Sequence, residues 1–294
     1  MGDAPPPRLT KKSTSGEALN AAVDAFRAAG IADPRLDAEV LLAEATGWDR
    51  AHLTANPEAE IPPPAGRRFG EMVRRRLRRE PVAYIVGAKW FRRIELAVDP
   101  RVLIPRPETE LLVELALELA PRSVLDVGTG SGAIALAIAD ELPGCAVTAT
   151  DTSAAALEVA RANAKRLGLA DHIRFLEGAV PADEAFDLTV ANLPYVAEPD
   201  WDSLAPEVTQ WEPREALLAG HDGLDAIRAF LLDRGRHFNR IPDEMATAGR
   251  GVVALEVGEG QAGAVGAMLH EAGFATVETR RDLAGIERVV VGRR

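Results

Sequence analysis

Asp126-Val127-Gly128-Thr129-Gly130-Ser131-Gly132-Ala133 is the stretch on which the fold turns. The apolar run Ser123-Val124-Leu125-Asp126-Val127 leads into it and reads as a buried strand, and Ala133 to Glu141 reads as a helix. Glycine carries no Cβ and accepts positive φ. Three glycines between a strand and a helix therefore let the backbone close on a ligand at the helix N-terminus. The same residues also satisfy Gly-x-Gly-x-x-Ala, a weakened dinucleotide fingerprint, and a tight structural turn is the plainer alternative. Asp151 stands 23 residues after Gly128 at the end of the next strand, Ala146 to Thr150, placed to accept hydrogen bonds from ribose hydroxyls. Its plainer role is to cap the following helix, which Ser153 can do equally well.

Working outward, residues 108–294 alternate between strand and helix. Amphipathic helices are expected over Glu108 to Leu119 and Ala154 to Leu167. Further strands are expected at Ile173 to Leu176, Phe186 to Ala191, Val252 to Val257, Phe274 to Val277 and Arg288 to Val291, the last pair antiparallel. That order implies an α/β fold: a Rossmann-like, open, mostly parallel sheet with helices on both faces. Upstream the signals differ. Residues 1–14 are proline-rich and read as a disordered tail, and residues 15–80 carry only helical periodicity and read as a helical bundle. Residues 81–107 (Val82, Tyr84, Ile85 and Val86, then Trp90-Phe91, Ile94, Leu96 and Val98) read as extended chain in a β-hairpin linker.

Bulk properties narrow the function. Apolar residues make up 47% and charged residues 27% of 294, an ordinary balance for a chain that buries a core. The net charge of −11 argues against non-specific binding to nucleic acid, which relies on Lys and Arg. Residues 1–90 nevertheless carry +2 and the remainder −13. Arg67, Arg68, Arg74, Arg75, Arg76, Arg78 and Arg79 concentrate the positive charge on one helix, either as a solvated face or as a docking surface for an acidic partner. One cysteine, Cys145, excludes an internal disulfide and a cysteine-rich zinc site, and the five histidines lack metal-ligand spacing, so no metal is expected. Neither a membrane span nor a secretory signal is evident, which implies a cytoplasmic protein. No feature calls for more than a monomer.

Asn192-Leu193-Pro194-Tyr195, at the end of the expected fourth strand of this region, supplies the chemistry. A strand-end Asn offers a side-chain oxygen and the next residue a backbone carbonyl. Together they can accept both hydrogens of a planar –NH₂ group and turn its nitrogen toward an electrophilic methyl. An amide nitrogen is a poor nucleophile, so positioning and electrostatic stabilisation must carry the reaction. Tyr195 would supply a flat face for the planar group. An ordinary strand-to-loop turn is the alternative, since Asn and Pro are common there.

With these residues in view, the chain resembles the peptide chain release factor N5-glutamine methyltransferase family from about Glu17 to Arg293. Glu80-Pro81-Val82-Ala83-Tyr84-Ile85-Val86-Gly87 and Leu103-Ile104-Pro105-Arg106-Pro107-Glu108-Thr109-Glu110 carry the resemblance most specifically. Glu212-Pro213-Arg214, Asp222-Gly223-Leu224 and Asp282-Leu283-Ala284-Gly285 add to it. The resemblance implies a class I S-adenosylmethionine-dependent methyltransferase sheet preceded by a helical substrate-recognition domain. Its substrate would be the glutamine of the Gly-Gly-Gln motif in class I release factors, methylated on the side-chain amide. It also implies that Gly128, Thr129, Gly130, Ser131 and Gly132 hold the methionine part of the cofactor, with Asp151 at the ribose and Val180 lining the adenine pocket. Asn192 would face both cofactor and substrate, and Leu193, Pro194 and Tyr195 would complete a catalytic and substrate-binding clamp. Two other substrates suit a similar clamp: adenine in ribosomal RNA or DNA, and the glutamine of a ribosomal protein. A nicotinamide-dependent oxidoreductase would leave Asn192 to Tyr195 unexplained.

Two positions depart from the family. Leu193 replaces the usual Pro, where only the backbone carbonyl is needed. Ala179 follows Gly178 where the family usually carries an acid, so the adenine amine loses a carboxylate partner. Cofactor affinity is therefore expected to rise in an Ala179→Asp variant, measured by titration with S-adenosylhomocysteine. Unchanged or weaker binding would remove this explanation.

Overall fold

The computed structural model describes residues 13–178, 181, 184–238 and 251–294. The chain divides into two compact units. One comprises the residues up to Gly87 together with Ala205–Trp211; the other comprises Ala88–Leu204 and Glu212–Arg294. Of the expected tail, residues 1–12 lie outside the described residues.

The first unit contains α1 (Ser15–Ala28), α2 (Pro34–Thr46), α3 (Arg50–Ala55), α4 (Pro63–Leu77) and α5 (Val82–Val86), joined by the short helix Pro206–Trp211. Thr14, placed in the tail by the sequence, is instead the cap of α1. Its hydroxyl accepts from Glu17 N while the Glu17 carboxylate accepts from Thr14 N, a reciprocal capping box. Pro34 opens α2, and Gly47 closes it at φ 74°, a conformation open to glycine at little cost. Phe26, Leu41, Leu42 and Phe69 are completely buried and form the centre of the core.

Two expectations change here. Val82–Val86 is helical rather than extended. Arg75 donates to the carbonyls of Tyr84 and Ile85, which a short helix leaves without intrahelical partners, and Gly87 ends the helix at φ 81°. The basic face of α4 is also partly internal. Arg75 pairs with Glu80, Arg68 with Glu44, and Arg76 with both Asp37 and Glu207, which Arg79 also reaches. Arg67, Arg68, Arg74 and Arg78 are the exposed cations of the seven, and all but Arg68 lack an ion pair among the described residues.

The second unit opens with a hairpin, β1 (Ala88–Phe91) paired antiparallel with β2 (Ile94–Ala97). A seven-stranded sheet follows from β3 (Ser123–Val127), β4 (Ala146–Asp151), β5 (Ile173–Glu177), β6 (Leu188–Ala191), β7 (Val252–Glu256), β8 (Thr276–Arg281) and β9 (Glu287–Arg293). Its spatial order is β5-β4-β3-β6-β7-β9-β8, with β9 antiparallel to both of its neighbours and the other pairings parallel. Among the described residues, the helices of this unit are α6 (Glu110–Leu119), α7 (Ala133–Glu141), α8 (Ala154–Arg166), α9 (Asp225–Phe238) and α10 (Ala262–Glu271). Every residue of β6 and β7 is buried, as in strands covered on both faces.

The strand order reverses at β3. The chain runs outward to β4 and β5, then returns to place β6 on the other side of β3. Val127 lies opposite Ala191 in that pairing, so Gly128 and Asn192 leave the sheet side by side at its carboxyl edge. Ligands of open α/β sheets bind at such a switch point.

Arg76 is 7% exposed and compensates two partly buried carboxylates at once. Arg76→Met is expected to lower the stability of the helical unit by about 3 kcal/mol, because it strands Asp37 and leaves Glu207 to Arg79 alone. Chemical denaturation followed by helical circular dichroism measures this, and a loss well below 1 kcal/mol would contradict it.

Candidate active site

The turn after β3 is held by the neighbouring strand. Thr150 O accepts from both Gly128 N and Thr129 N at 2.9 Å. Gly130 N donates to Asp151 Oδ2 at 2.9 Å, and Ser153 N donates to Oδ1 at 2.8 Å. Ser153 itself caps α8 by accepting from Ala156 N, which leaves Asp151 fastened to the glycine turn rather than serving as the cap. A Cβ at Gly130 would meet no atom within 4 Å, so open space lies directly over that backbone. At Gly128 a Cβ would stand 3.4 Å from Leu193 Cδ2 and 3.7 Å from Asn192 O.

The other turn residues face inward. Thr129 and Ser131 are buried; the Thr129 hydroxyl donates to Asp126 Oδ2 at 2.6 Å. Gly132, at φ 85°, is a packing glycine, since a Cβ there would lie 2.8 Å from Leu136 Cδ1 and 3.3 Å from Ala160 Cβ. Asn163 was not anticipated, yet it joins the hairpin to the turn. Its amide exchanges two hydrogen bonds with Ala97 and donates a third to Ser131 O. Asp126 is fully buried, and desolvation pushes its carboxyl up to about 7, against the opposing hydrogen bonds from Thr129 and Ala135 N. Its Oδ1 has no hydrogen-bond partner among the described residues.

Across the switch point, Asn192 Nδ2 donates to Thr109 Oγ1 at 3.0 Å. No described residue donates to its Oδ1, which is therefore free to accept from a ligand. Gly128, Gly130, Asp151, Asn192, Leu193 and Pro194 all line one cavity of about 410 Å³, a size suited to a nucleoside-type cofactor. Tyr195 lies off this lining. Its hydroxyl faces Glu256 Oε1 at 3.5 Å, and its carbonyl accepts from Gln261 Nε2 at 3.0 Å. Burial, with Glu256 nearby, pushes the Tyr195 phenol up to about 12. Ala179 and Val180 lie outside the described residues.

The cavity also draws on Val102, Leu103, Pro213, Ala226 and Phe230, to which the sequence reading gave no role. The segments holding Leu103 and Pro213 stand out in the sequence, and the structure shows why they travel together. Glu212 accepts from Ile104 N and pairs with Arg106, pinning one segment to the other.

The described residues thus offer what an adenosyl cofactor requires: exposed glycine backbone, a strand-end carboxylate and apolar walls. A family model described as the PrmC N-terminal domain matches residues 17–87, and one described as a methyltransferase domain matches residues 124–211. A release factor glutamine methyltransferase of Burkholderia pseudomallei is 44% identical over 270 residues, covering 88% of this chain and 91% of that protein. Another, of Cereibacter sphaeroides, is 42% identical over 283 residues, covering 95% and 98%. This chain belongs to the release factor glutamine methyltransferase family. It is a methyltransferase whose cofactor is S-adenosylmethionine. Among solved structures, the hMettl16 catalytic domain in complex with a MAT2A 3'UTR hairpin shares the fold, with a TM-score of 0.55 at 15% identity over 67% of this chain and 74% of that one.

Asp126 makes the unliganded methyltransferase sensitive to pH. An acid whose folded value is raised from 3.8 to about 7 holds its proton better folded than unfolded, so stability falls as pH rises between those values. Glu256, also raised to about 7, adds to the same decline. Asp126→Asn is expected to flatten the decline between about pH 5 and pH 7 by a few kcal/mol at most. Denaturant midpoints across that range measure it, and an unchanged slope would refute the assignment.

Proposed function

We propose that this methyltransferase modifies the side-chain amide of the glutamine in the Gly-Gly-Gln motif of class I peptide chain release factors. The observation that carries the reading is the orientation of Asn192. Its Nδ2 is tied to Thr109 while its Oδ1 stands free beside the cavity. Oδ1 and the Leu193 carbonyl would accept the two amide hydrogens of the glutamine, fixing the plane of the group and the direction of its nitrogen lone pair. Bound S-adenosylmethionine supplies an electrophilic methyl on sulfonium sulfur. The protein's share is orientation and exclusion of competing geometries, which are worth several orders of magnitude in rate. Within the cavity Asp151 would hold the ribose, and the Gly128 and Gly130 backbone the methionine portion.

The substrate class is supported by relatives over most of the chain that are named release factor glutamine methyltransferases. The N-terminal helical unit would recognise the protein substrate, with Arg67, Arg74 and Arg78 as exposed cations that make no ion pair among the described residues, and the enzyme would act as a cytoplasmic monomer. Leu193 serves through its backbone carbonyl, so Leu193→Pro should retain activity.

Mass analysis of a purified class I release factor incubated with the enzyme and S-adenosylmethionine tests the proposal. The expected result is one added methyl on the Gln of Gly-Gly-Gln, with Asn192→Ala slowing it roughly 100- to 1,000-fold. Methylation of adenine in RNA, with none on the release factor, would replace this reading with the nucleic-acid one.

A further inference from the structure

Orientation is the difficulty in the clamp. The Oδ1 and Nδ2 ends of an Asn side chain are nearly isosteric, so packing alone cannot choose between them. A flipped Asn192 would aim N–H donors at the N–H donors of the substrate amide and lose the clamp. Some group must therefore read which end is which. Thr109, 3% exposed in a 3-10 turn over Pro107–Thr109, touches Asn192 directly, but a hydroxyl can either donate or accept and cannot discriminate by itself.

Glu256 removes that freedom. It ends β7, next to the strand that leads into Asn192, and is 1% exposed. The Thr109 side chain acts on its carboxylate and favours the ionised form, although the described residues form no hydrogen bond between the two, and Tyr195 OH faces Oε1 at 3.5 Å. Oε2 has no partner among the described residues. A buried carboxylate can only accept, and one lacking a donor carries a desolvation penalty until it finds one.

We propose that Glu256 and Thr109 are the positioning residues of the clamp: the carboxylate takes the Thr109 hydroxyl hydrogen, which obliges Thr109 Oγ1 to accept from Asn192 Nδ2 and holds Asn192 Oδ1 toward the substrate. The same carboxylate receives the Tyr195 hydroxyl, so both ends of Asn192-Leu193-Pro194-Tyr195 are referred to one buried group. The inference rests on the glutamine-amide reading above. It carries a polarity rule. Protonated Glu256 donates to Thr109, which frees the Thr109 hydrogen for Asn192 Oδ1 and favours the flipped amide. Burial and Glu108 push Glu256 up to about 7, while Thr109, Arg288 and Tyr195 oppose them, so the switch falls near neutrality.

The test separates this inference from the function on which it rests. In the full-length enzyme, Thr109→Val is expected to lower kcat for release-factor methylation about 100-fold, with little change in KM or in S-adenosylhomocysteine affinity. Thr109→Ser, which keeps the hydroxyl, should restore most of it. The rate of the wild type should fall below about pH 7, and Glu256→Gln should lack that limb. A second measurement needs no substrate. The side-chain amide resonances of Asn192, in protein labelled with nitrogen-15, should titrate with Glu256 in the wild type, shift in Thr109→Val and return in Thr109→Ser. Methylation by the wild type with full activity in Thr109→Val would overturn the positioning role alone. Absence of methylation by the wild type counts against the proposed substrate, and the resonances then decide the inference: unmoved by pH and by Thr109→Val, they overturn it.

Discussion

The candidate site depends on the parallel pairing of β3 with β6. The register sets Val124 opposite Leu188 and Val127 opposite Ala191. The last strand residues are thus level, and the glycine turn and the Asn-Leu-Pro-Tyr run emerge at the same height from adjacent strands. A slip of one residue would invert every side chain of β6 and send its apolar set to the wrong face. The register is protected by burial, since all four residues of β6 are enclosed. Gly128 is glycine for its backbone: φ is 74°, which side chains rarely adopt, whereas a Cβ would meet Leu193 and the Asn192 carbonyl at ordinary contact distance.

Behind each half of the site lies one carboxylate that water cannot reach. Asp126 backs the glycine turn through Thr129 and the N-terminal end of α7, and Glu256 backs the clamp beside Thr109 and Tyr195. Each has one oxygen without a partner among the described residues. Hydrophobic replacements at such places would often make a more stable protein. Their presence at the carboxyl ends of two core strands sets a buried acceptor beside each turn. The hairpin is secured differently, by the three hydrogen bonds of Asn163, a neutral side chain that satisfies its partners completely enough to remain 0% exposed.

Much of the fold was legible because strands buried on both faces read as continuous apolar runs, as in Val252-Val253-Ala254-Leu255. The glycines and Asn192 drew attention by their places at strand ends, and the structure brings Gly128, Gly130 and Asn192 to one cavity. Val82–Val86 was misread for a physical reason. β-Branched residues and Tyr favour strands, but the guanidinium of Arg75 satisfies the helix's free carbonyls, a tertiary contact that local composition does not disclose. Thr109, Asn163 and Glu256 were missed on similar grounds. Their importance lies in partners 66 to 83 positions away for Asn163 and Thr109, and in the depth of burial for Glu256. Thr109 and Asn163 sit among other polar residues and Glu256 ends an apolar run, and none of these settings gives a sign of either.

The polypeptide passes between its two units three times, after Gly87, after Leu204 and after Trp211. A helical module attached by one linker can be lost, gained or exchanged by a single cut. Here such a cut after Gly87 would leave Ala205–Trp211 with the sheet and strip Glu207 of Arg76 and Arg79. The helices of the first unit are therefore not a transferable cassette. Any recombination that moves them must carry two separated pieces of the gene, so the two units are bound to share one evolutionary history.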